Sequence, residues 1–203
     1  MRSKRKQRRF RWMALKLAGV IFLIFILQLV FKGLTKNFML VASDVLSRPW
    51  ILITSIFLHG SWTHLLYNMF ALFLFGSFLE KQIGSNRFLF VFFSTGLMAN
   101  IVACFFYSNS LGASGAIYGI IGMLTILKPL MPILAFGVPM PMIIASILWI
   151  IVDFAGFSSY FHGLPGGIAN AAHLTGIFLG ALLGIGFKQF VKWKKLLKRR
   201  LKS

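Results

Sequence analysis

The sequence predicts an all-α membrane protein, built as a bundle of six transmembrane helices with both termini in the cytoplasm. Of its 203 residues 58% are hydrophobic, and the mean hydropathy of +0.83 is far above that of soluble domains. Long stretches carry no charge, and about 20 apolar residues suffice to cross a bilayer. The candidate spans are residues 13–31, 63–79, 87–107, 113–128, 138–155 and 169–187.

The charge pattern divides the chain into three parts. The formal net charge is +19, and most of the basic residues stand near the two ends. We therefore predict a basic cytoplasmic tail (1–12), a six-helix domain (13–187) and a second basic cytoplasmic tail (188–203). Basic blocks beside a span are typical of anchors that contact anionic lipid, so we expect membrane lipids and not nucleic acid as partners.

The remaining basic residues test this orientation. An even number of spans puts both tails on one side, and the positive-inside rule then requires that side to hold the excess of Lys and Arg. The inner side has both tails with Lys81, Arg87 and Lys128, whereas the outer side has only Lys32, Lys36 and Arg48. The distribution favours cytoplasmic termini. The single cysteine, Cys104, excludes an internal disulfide.

Two apolar segments need separate interpretation. Residues 12–31 resemble a signal peptide, but they are long enough to span and no small-residue cleavage pattern follows, so we expect a retained first helix. Residues 49–58 are too short to cross a bilayer and end at the polar run 59–64. We expect them to dip into the outer leaflet, where irregular backbone must face protein or a wet cavity.

Polar residues in three spans reach a common depth. Counting about 1.5 Å per residue from the basic inner boundaries, Ser114 lies about 21 Å above Lys128 and His173 about 22 Å above Lys188. By the same rise, His64 and Asn68 lie about 24 and 18 Å above Glu80. Ionisable residues in a span are functional candidates by default. The sequence therefore predicts one polar site several Å below the outer surface.

These residue types are suited to acyl transfer. A serine hydroxyl becomes a useful nucleophile when a histidine takes its proton, which pairs Ser114 with His173. Gly112 and Gly115 flank the serine at the first turn of its helix, where backbone amides are free. Those amides, with Ala113 among the candidates, could form an oxyanion hole together with the side-chain donors of the i, i+4 pair His64 and Asn68.

Glycine rows indicate how the helices approach. Gly115, Gly119 and Gly122 lie on one span, and Gly176, Gly180 and Gly184 repeat every four residues on another. Small residues at this spacing let backbones pack closely in lipid, which would bring His173 against Ser114. Tyr118 falls one turn after Ser114, where its ring could pack on the imidazole.

Four blocks of the sequence resemble the rhomboid family of intramembrane serine proteases, in the family's order and at compatible spacing over residues 48–188. They are HGSWTHLLYN (59–68), EKQIGS (80–85), GASGAIYG (112–119) and ANAAHLTG (169–176). The resemblance implies the six-helix rhomboid fold, no cofactor and transmembrane protein substrates, while the small size and the lack of extra helices suggest a prokaryotic plasma membrane. It also implies a Ser114–His173 catalytic dyad, an oxyanion hole with His64 and Asn68, packing of Tyr118 on the base, and a structural role for His59.

Two loops depart from that resemblance. The first outer loop, residues 32–48, lacks the Trp-Arg pair of many members. The last outer loop, residues 156–168, is rich in Gly, Phe and Tyr, and we expect it to cap the site as a Gly-hinged lid that gates substrate access. The neighbouring helix, residues 138–155, is the other candidate for this gate.

Other functions are weaker interpretations of the same residues. Asp153 could orient His173 in a triad, but a capping or structural hydrogen bond is favoured because the family uses a dyad. A metal site is not expected, since His59 and His64 are spaced i, i+5 and no His-Glu-x-x-His is present. A catalytically inactive rhomboid-like protein that binds membrane clients is the main alternative. A channel would need polar groups continuing to the inner face, where the helices are apolar.

Overall fold

The computed structural model describes residues 10–162 and 169–200, and it is mostly helical. Five helical segments are long and apolar enough to cross a membrane by length and composition: Met13–Val30, Trp62–Ile83, Ser85–Ala103, Met142–Ser159 and Asn170–Lys194. A shorter apolar helix, Ser114–Leu127, packs among them. The helices in chain order are α1 (Met13–Val30), α2 (Leu34–Phe38), α3 (Ile51–Thr54), α4 (Trp62–Ala71), α5 (Ser77–Ile83), α6 (Ser85–Ala103), α7 (Ser114–Leu127), α8 (Met142–Phe161) and α9 (Asn170–Arg200).

The second long segment begins with a side-chain cap and contains a widened turn. The hydroxyl of Ser61 accepts a hydrogen bond from the amide of His64 at 3.2 Å, which satisfies one of the free amides at the start of α4. A π-helical turn, Leu72–Gly76, joins α4 to α5 without ending the helix. Residues 49–58, expected to be too short to span, form α3 and a 3₁₀ turn, Ser55–Phe57.

Two short antiparallel strand pairs connect the helices. β1 (Leu40–Val41) pairs with β2 (Asn109–Ser110), and thus ties the first outer loop to the chain that precedes α7. β3 (Pro132–Ala135) and β4 (Val138–Pro141) form a hairpin between α7 and α8. The sequence showed no strand pattern, and the helix predicted from residue 138 was wrong over its first turn. Pro139 and Pro141 lack the amide hydrogens that a helix requires, and Phe136 and Gly137 make the turn with positive φ.

The predicted loop at residues 156–168 was wrong in its first part, because α8 continues to Phe161. Gly156 packs against Asn170, where a β-carbon would overlap the amide nitrogen Nδ2. This first glycine of the expected lid therefore serves a close helix contact. Residues 163–168 of the expected lid lie outside the described residues. The second basic tail also continues α9, as far as Arg200.

The helix α7 lies in the core and runs parallel to α9. Gly176 faces the carbonyl of Gly115, Gly180 faces that of Gly119, and Gly184 faces Ile126 further along. Because residue numbers rise together on both helices, their starts lie side by side. Because glycine has no side chain, the two backbones can approach each other closely.

The helix α8 runs antiparallel to this pair. Near its start, the hydroxyl of Ser146 is 2.6 Å from that of Thr125 in the second half of α7. Further along, Gly156 meets Asn170 at the start of α9. The second half of α8 therefore lies beside the first turns of α7 and α9.

A buried carboxylate holds the start of α1. Glu80, which is fully buried, accepts hydrogen bonds from the amides of Arg11 and Ala14, both at 3.1 Å. The hydroxyl of Ser85 donates to the same carboxylate at 2.6 Å. Glu80 thus satisfies backbone amides that a helix start leaves free, and it links α1 to the end of α5.

Candidate active site

Ser114 and His173 lie within hydrogen-bond distance of each other. Ser114 is the first residue of α7, and His173 lies in the first turn of α9. The Oγ of Ser114 is 2.8 Å from Nε2 of His173, and the imidazole tautomer decides which atom donates. Parallel packing of the two helices produces this contact. A hydroxyl at this distance from an imidazole nitrogen can pass its proton to the ring as the oxygen attacks an electrophile.

Tyr118 stacks on the imidazole of His173. The ring centroids are 4.2 Å apart and the planes differ by 12°. Tyr118 follows Ser114 by one helical turn, so both side chains leave the same face of α7. The stacked ring restricts rotation of the imidazole, and the contact expected from the sequence is present in the structure.

Asp153 contacts the other nitrogen of the same imidazole. Its Oδ1 is 2.9 Å from Nδ1 of His173, and its side chain is buried. From the sequence, a cap or a structural hydrogen bond was favoured for this residue, whereas the structure directs it at His173. Asp153 is the one acidic residue in the apolar segment 138–155, where a carboxylate is energetically unfavourable. This feature of the sequence could have identified it.

His64 packs against the chain that leads into α7. A β-carbon on Gly112 would lie 2.7 Å from Cε1 of His64, so only glycine permits this approach. Gly112 also has a φ of +127°, and its amide donates to the carbonyl of Ser55 at 2.9 Å. The expected donor on α4 therefore lies beside the segment that carries Ser114.

The other two oxyanion-hole candidates have different surroundings. Asn68 is buried, and its Nδ2 donates to the carbonyl of His64 at 2.8 Å, so one of its amide hydrogens is used within α4. Ala113 is fully buried and precedes the first residue of α7. The amides of Ser114 and Gly115 begin this helix, and amides in a first turn have no carbonyl partner within the helix.

His59 lies in the loop that precedes α4, with its ring 4.9 Å from that of His64. Burial, and then the charge of His64, lower the pKa of His59 to about 3, so it is neutral at ordinary pH. Neither ring nitrogen has a hydrogen-bond partner among the described residues, although the backbone of Phe57 lies nearby. Its main chain is held by Gln28, which accepts from the amide at 3.0 Å and donates to the carbonyl at 3.1 Å.

Within residues 10–162 and 169–200, no group of three or more His, Cys, Asp or Glu side chains is placed to hold a metal ion.

Comparison with known proteins assigns this chain to a family. The model of the Rhomboid domain matches residues 46–190. The chain is 29% identical to "Rhomboid protein 1, mitochondrial" of Saccharomyces cerevisiae over 181 residues, which cover 83% of this chain and 50% of that protein. It is 43% identical to "Putative rhomboid protease YdcA" of Bacillus subtilis over 79 residues, which cover 36% of this chain and 39% of that protein. It is 28% identical to "Rhomboid protease GlpG" of Yersinia pestis over 135 residues, which cover 66% of this chain and 46% of that protein. The chain thus spans about half the length, or less, of these curated relatives.

Proposed function

Since this chain belongs to the rhomboid family, we propose that it is an intramembrane serine endopeptidase that cleaves transmembrane proteins near the outer face of the membrane. The observation that carries the proposal is the 2.8 Å distance between the Oγ of Ser114 and Nε2 of His173. The family and its protease-named relatives support the reaction class, while the pairing of these two side chains supports a Ser-His mechanism.

The proposed reaction uses one proton carrier. Nε2 of His173 accepts the hydroxyl proton of Ser114 as Oγ attacks the scissile carbonyl carbon, and a tetrahedral oxyanion forms. His173 then gives that proton to the leaving amine, the carbon–nitrogen bond breaks, and an acyl-enzyme remains. Water transfers a proton to His173 while its oxygen attacks the ester carbonyl. Return of the proton to Oγ releases the acid product and restores Ser114.

The oxyanion needs donors that are in place before the charge develops. The first-turn amides of α7, together with the side chains of His64 and Asn68, are our candidates. His64 is supported by its packing against Gly112, two residues before Ser114. Asn68 already donates one hydrogen to the His64 carbonyl, but an amide nitrogen carries two, so one remains for an oxyanion. The amide of Ala113 completes the set.

The proposed topology has six spans, with α7 as the sixth and both termini in the cytoplasm. At about 1.5 Å per residue, the 14 residues of α7 rise about 21 Å, which is short of a hydrocarbon core of about 30 Å. A short helix is compatible with a span if its first residue lies below the outer surface. The basic residues at the inner ends support this orientation.

Purified variants in liposomes test the proposal directly. Ser114→Ala and His173→Ala should each lower cleavage of a single-span membrane substrate by at least about 10³-fold, because each removes a group that acts in every step. Ser108→Ala and Asn109→Ala are controls, since both side chains are exposed and stand outside the site. Near-normal cleavage by either site variant contradicts the dyad.

A fluorophosphonate probe separates the proposed protease from the alternatives. Labelling should occur at Ser114 and should be lost in both site variants but retained in both controls. If the wild-type protein is folded yet is neither labelled nor able to cleave, it is instead an inactive rhomboid-like protein that binds membrane clients. Ion flux through the liposomes would favour a channel.

A further inference from the structure

We propose that Asp153 is a positioning residue that acts through His173, so that the site is a Ser-His-Asp relay and not a dyad. This inference rests on the proposed protease function. Two consecutive hydrogen bonds support the proposal. Asp153 Oδ1 is 2.9 Å from Nδ1 of His173, and Nε2 of His173 is 2.8 Å from Oγ of Ser114. The three side chains come from α8, α9 and α7, which the glycine contacts hold together.

The chemistry requires one tautomer of His173. To accept the serine proton, Nε2 must be unprotonated, and the ring proton must then sit on Nδ1. A carboxylate next to Nδ1 accepts that proton in a hydrogen bond, so it favours this tautomer and fixes the ring plane. When Nε2 takes the proton of Ser114, the same carboxylate faces an imidazolium and stabilises it without becoming protonated.

A purely local structural role does not account for the position of Asp153. It is the twelfth residue of a 20-residue helix, so it can cap neither end of α8. It is 4% exposed, and the neighbouring Val152 and Phe154 on its helix are apolar. A buried charge is costly unless it is paired. The partner of its Oδ1 is Nδ1 of His173, at 2.9 Å.

The second carboxylate oxygen leads to the same conclusion. Oδ2 of Asp153 is buried without a hydrogen-bond partner among the described residues, although the phenol of Tyr118 lies near enough to interact. Tyr118 is also the residue that stacks on His173. Both neighbours of Asp153 therefore fix the same imidazole, and the carboxylate has no other use in the described part of the chain.

The decisive variant is Asp153→Asn, which keeps the size of the side chain but offers an amide that can favour the wrong tautomer. In a soluble serine protease the equivalent change lowers kcat by about 10⁴-fold. We expect a loss of roughly 10²- to 10⁴-fold in kcat and in the rate of fluorophosphonate labelling, with KM changed less than about threefold, since the substrate contacts remain. Asp44→Asn makes the same chemical change at an exposed carboxylate paired with Arg48, and it should leave both rates unchanged.

A double-variant cycle distinguishes positioning from general packing. If Asp153 acts through the imidazole, adding Asp153→Asn to His173→Ala should cause no further loss of the residual cleavage rate, because the residue through which it acts is already absent. A further loss equal to that of the single variant would overturn the proposal. If Asp153→Asn keeps more than about a third of the wild-type rate while Ser114 and His173 remain essential, the dyad stands, and this inference fails although the protease function survives.

The wild-type protein offers a test that does not depend on how a variant folds. Nitrogen-15 NMR of histidine-labelled protein reports which ring nitrogen carries the proton. The resonances of His173, assigned by their loss in His173→Ala, should show the proton on Nδ1. A proton on Nε2 in the resting protein would overturn the proposal.

Discussion

The contact between Gly180 and Gly119 is the most direct way to test how packing positions the site. A β-carbon built on Gly180 would overlap the carbonyl oxygen of Gly119 and lie 2.7 and 2.9 Å from its carbonyl and α-carbons. All three atoms belong to the backbone, so no side-chain rotation can relieve the clash. Gly180→Ala must therefore push α9 away from α7 or strain both helices.

The magnitude follows from comparison with a second glycine on α9. A β-carbon on Gly186 would meet no atom within 4 Å, so Gly186→Ala changes helix propensity alone. Both substitutions gain the same propensity, up to about 1 kcal/mol. The difference between the two variants isolates the cost of overpacking, which we expect to be about 1–3 kcal/mol against Gly180→Ala.

The site should respond as well, because His173 is about two helical turns from Gly180 on the same helix. A displacement of about 1 Å between catalytic groups can cost about 10²-fold in rate. We expect Gly180→Ala to lower fluorophosphonate labelling of the folded fraction by about 10- to 100-fold, and Gly186→Ala to leave it unchanged. Unfolding in mixed micelles, followed by circular dichroism, gives the stability difference. Equal stability and equal labelling of the two variants would refute the parallel packing of α7 on α9.

Three further changes test other contacts. Glu80→Gln should lower the free energy of unfolding by about 1–3 kcal/mol, because it weakens charge-assisted hydrogen bonds to the start of α1. Fluorophosphonate labelling of the folded fraction should not change, and a loss of labelling would contradict a purely structural role for Glu80. Tyr118→Leu should lower kcat roughly 2- to 10-fold by removing the stacked ring, whereas Tyr118→Phe should retain most of the rate. The folded pKa of His59, about 3, lies below its usual 6.5, so the unfolded chain binds the proton first. Stability should therefore fall as pH drops from about 6.5 towards 3, by up to about 1.4 kcal/mol per pH unit, and His59→Gln should flatten that dependence in unfolding titrations.

The depth of polar residues along apolar spans predicted that Ser114 and His173 could meet, and the two side chains are in contact. Helical rise is a fixed property of the backbone, so residue counts from the basic boundaries could place Ser114, His173 and His64 at one level. The glycine rows then indicated which helices could approach. The contacts of Gly176 and Gly180 with the backbone of α7 have that origin, and the 2.8 Å contact between Ser114 and His173 follows from it.

Rotation of a helix about its axis is harder to predict from sequence. Residue counting located Asp153 near the outer end of its span but did not determine which neighbour its carboxylate faced. That direction depends on how α8 is rotated against α9, and the close contact of Gly156 with Asn170 sets this rotation. Residue counts along one helix carry no information on such a contact.

The shortness of α7 connects the fold to the chemistry. In the proposed topology, a helix that begins at Ser114 and rises about 21 Å leaves the preceding chain at membrane depth, where each backbone group must find a partner within the protein. Those partners are present, since β2 pairs with β1 and the amide of Ala42 donates to the carbonyl of Ser108 at 2.9 Å. The amide of Gly112 donates to the carbonyl of Ser55. Because this chain is held by loops and strands instead of by α7, the first-turn amides beside Ser114 remain available to a substrate. A longer helix would have placed carbonyl partners on those amides, and the proposed oxyanion hole would then have lost its backbone donors.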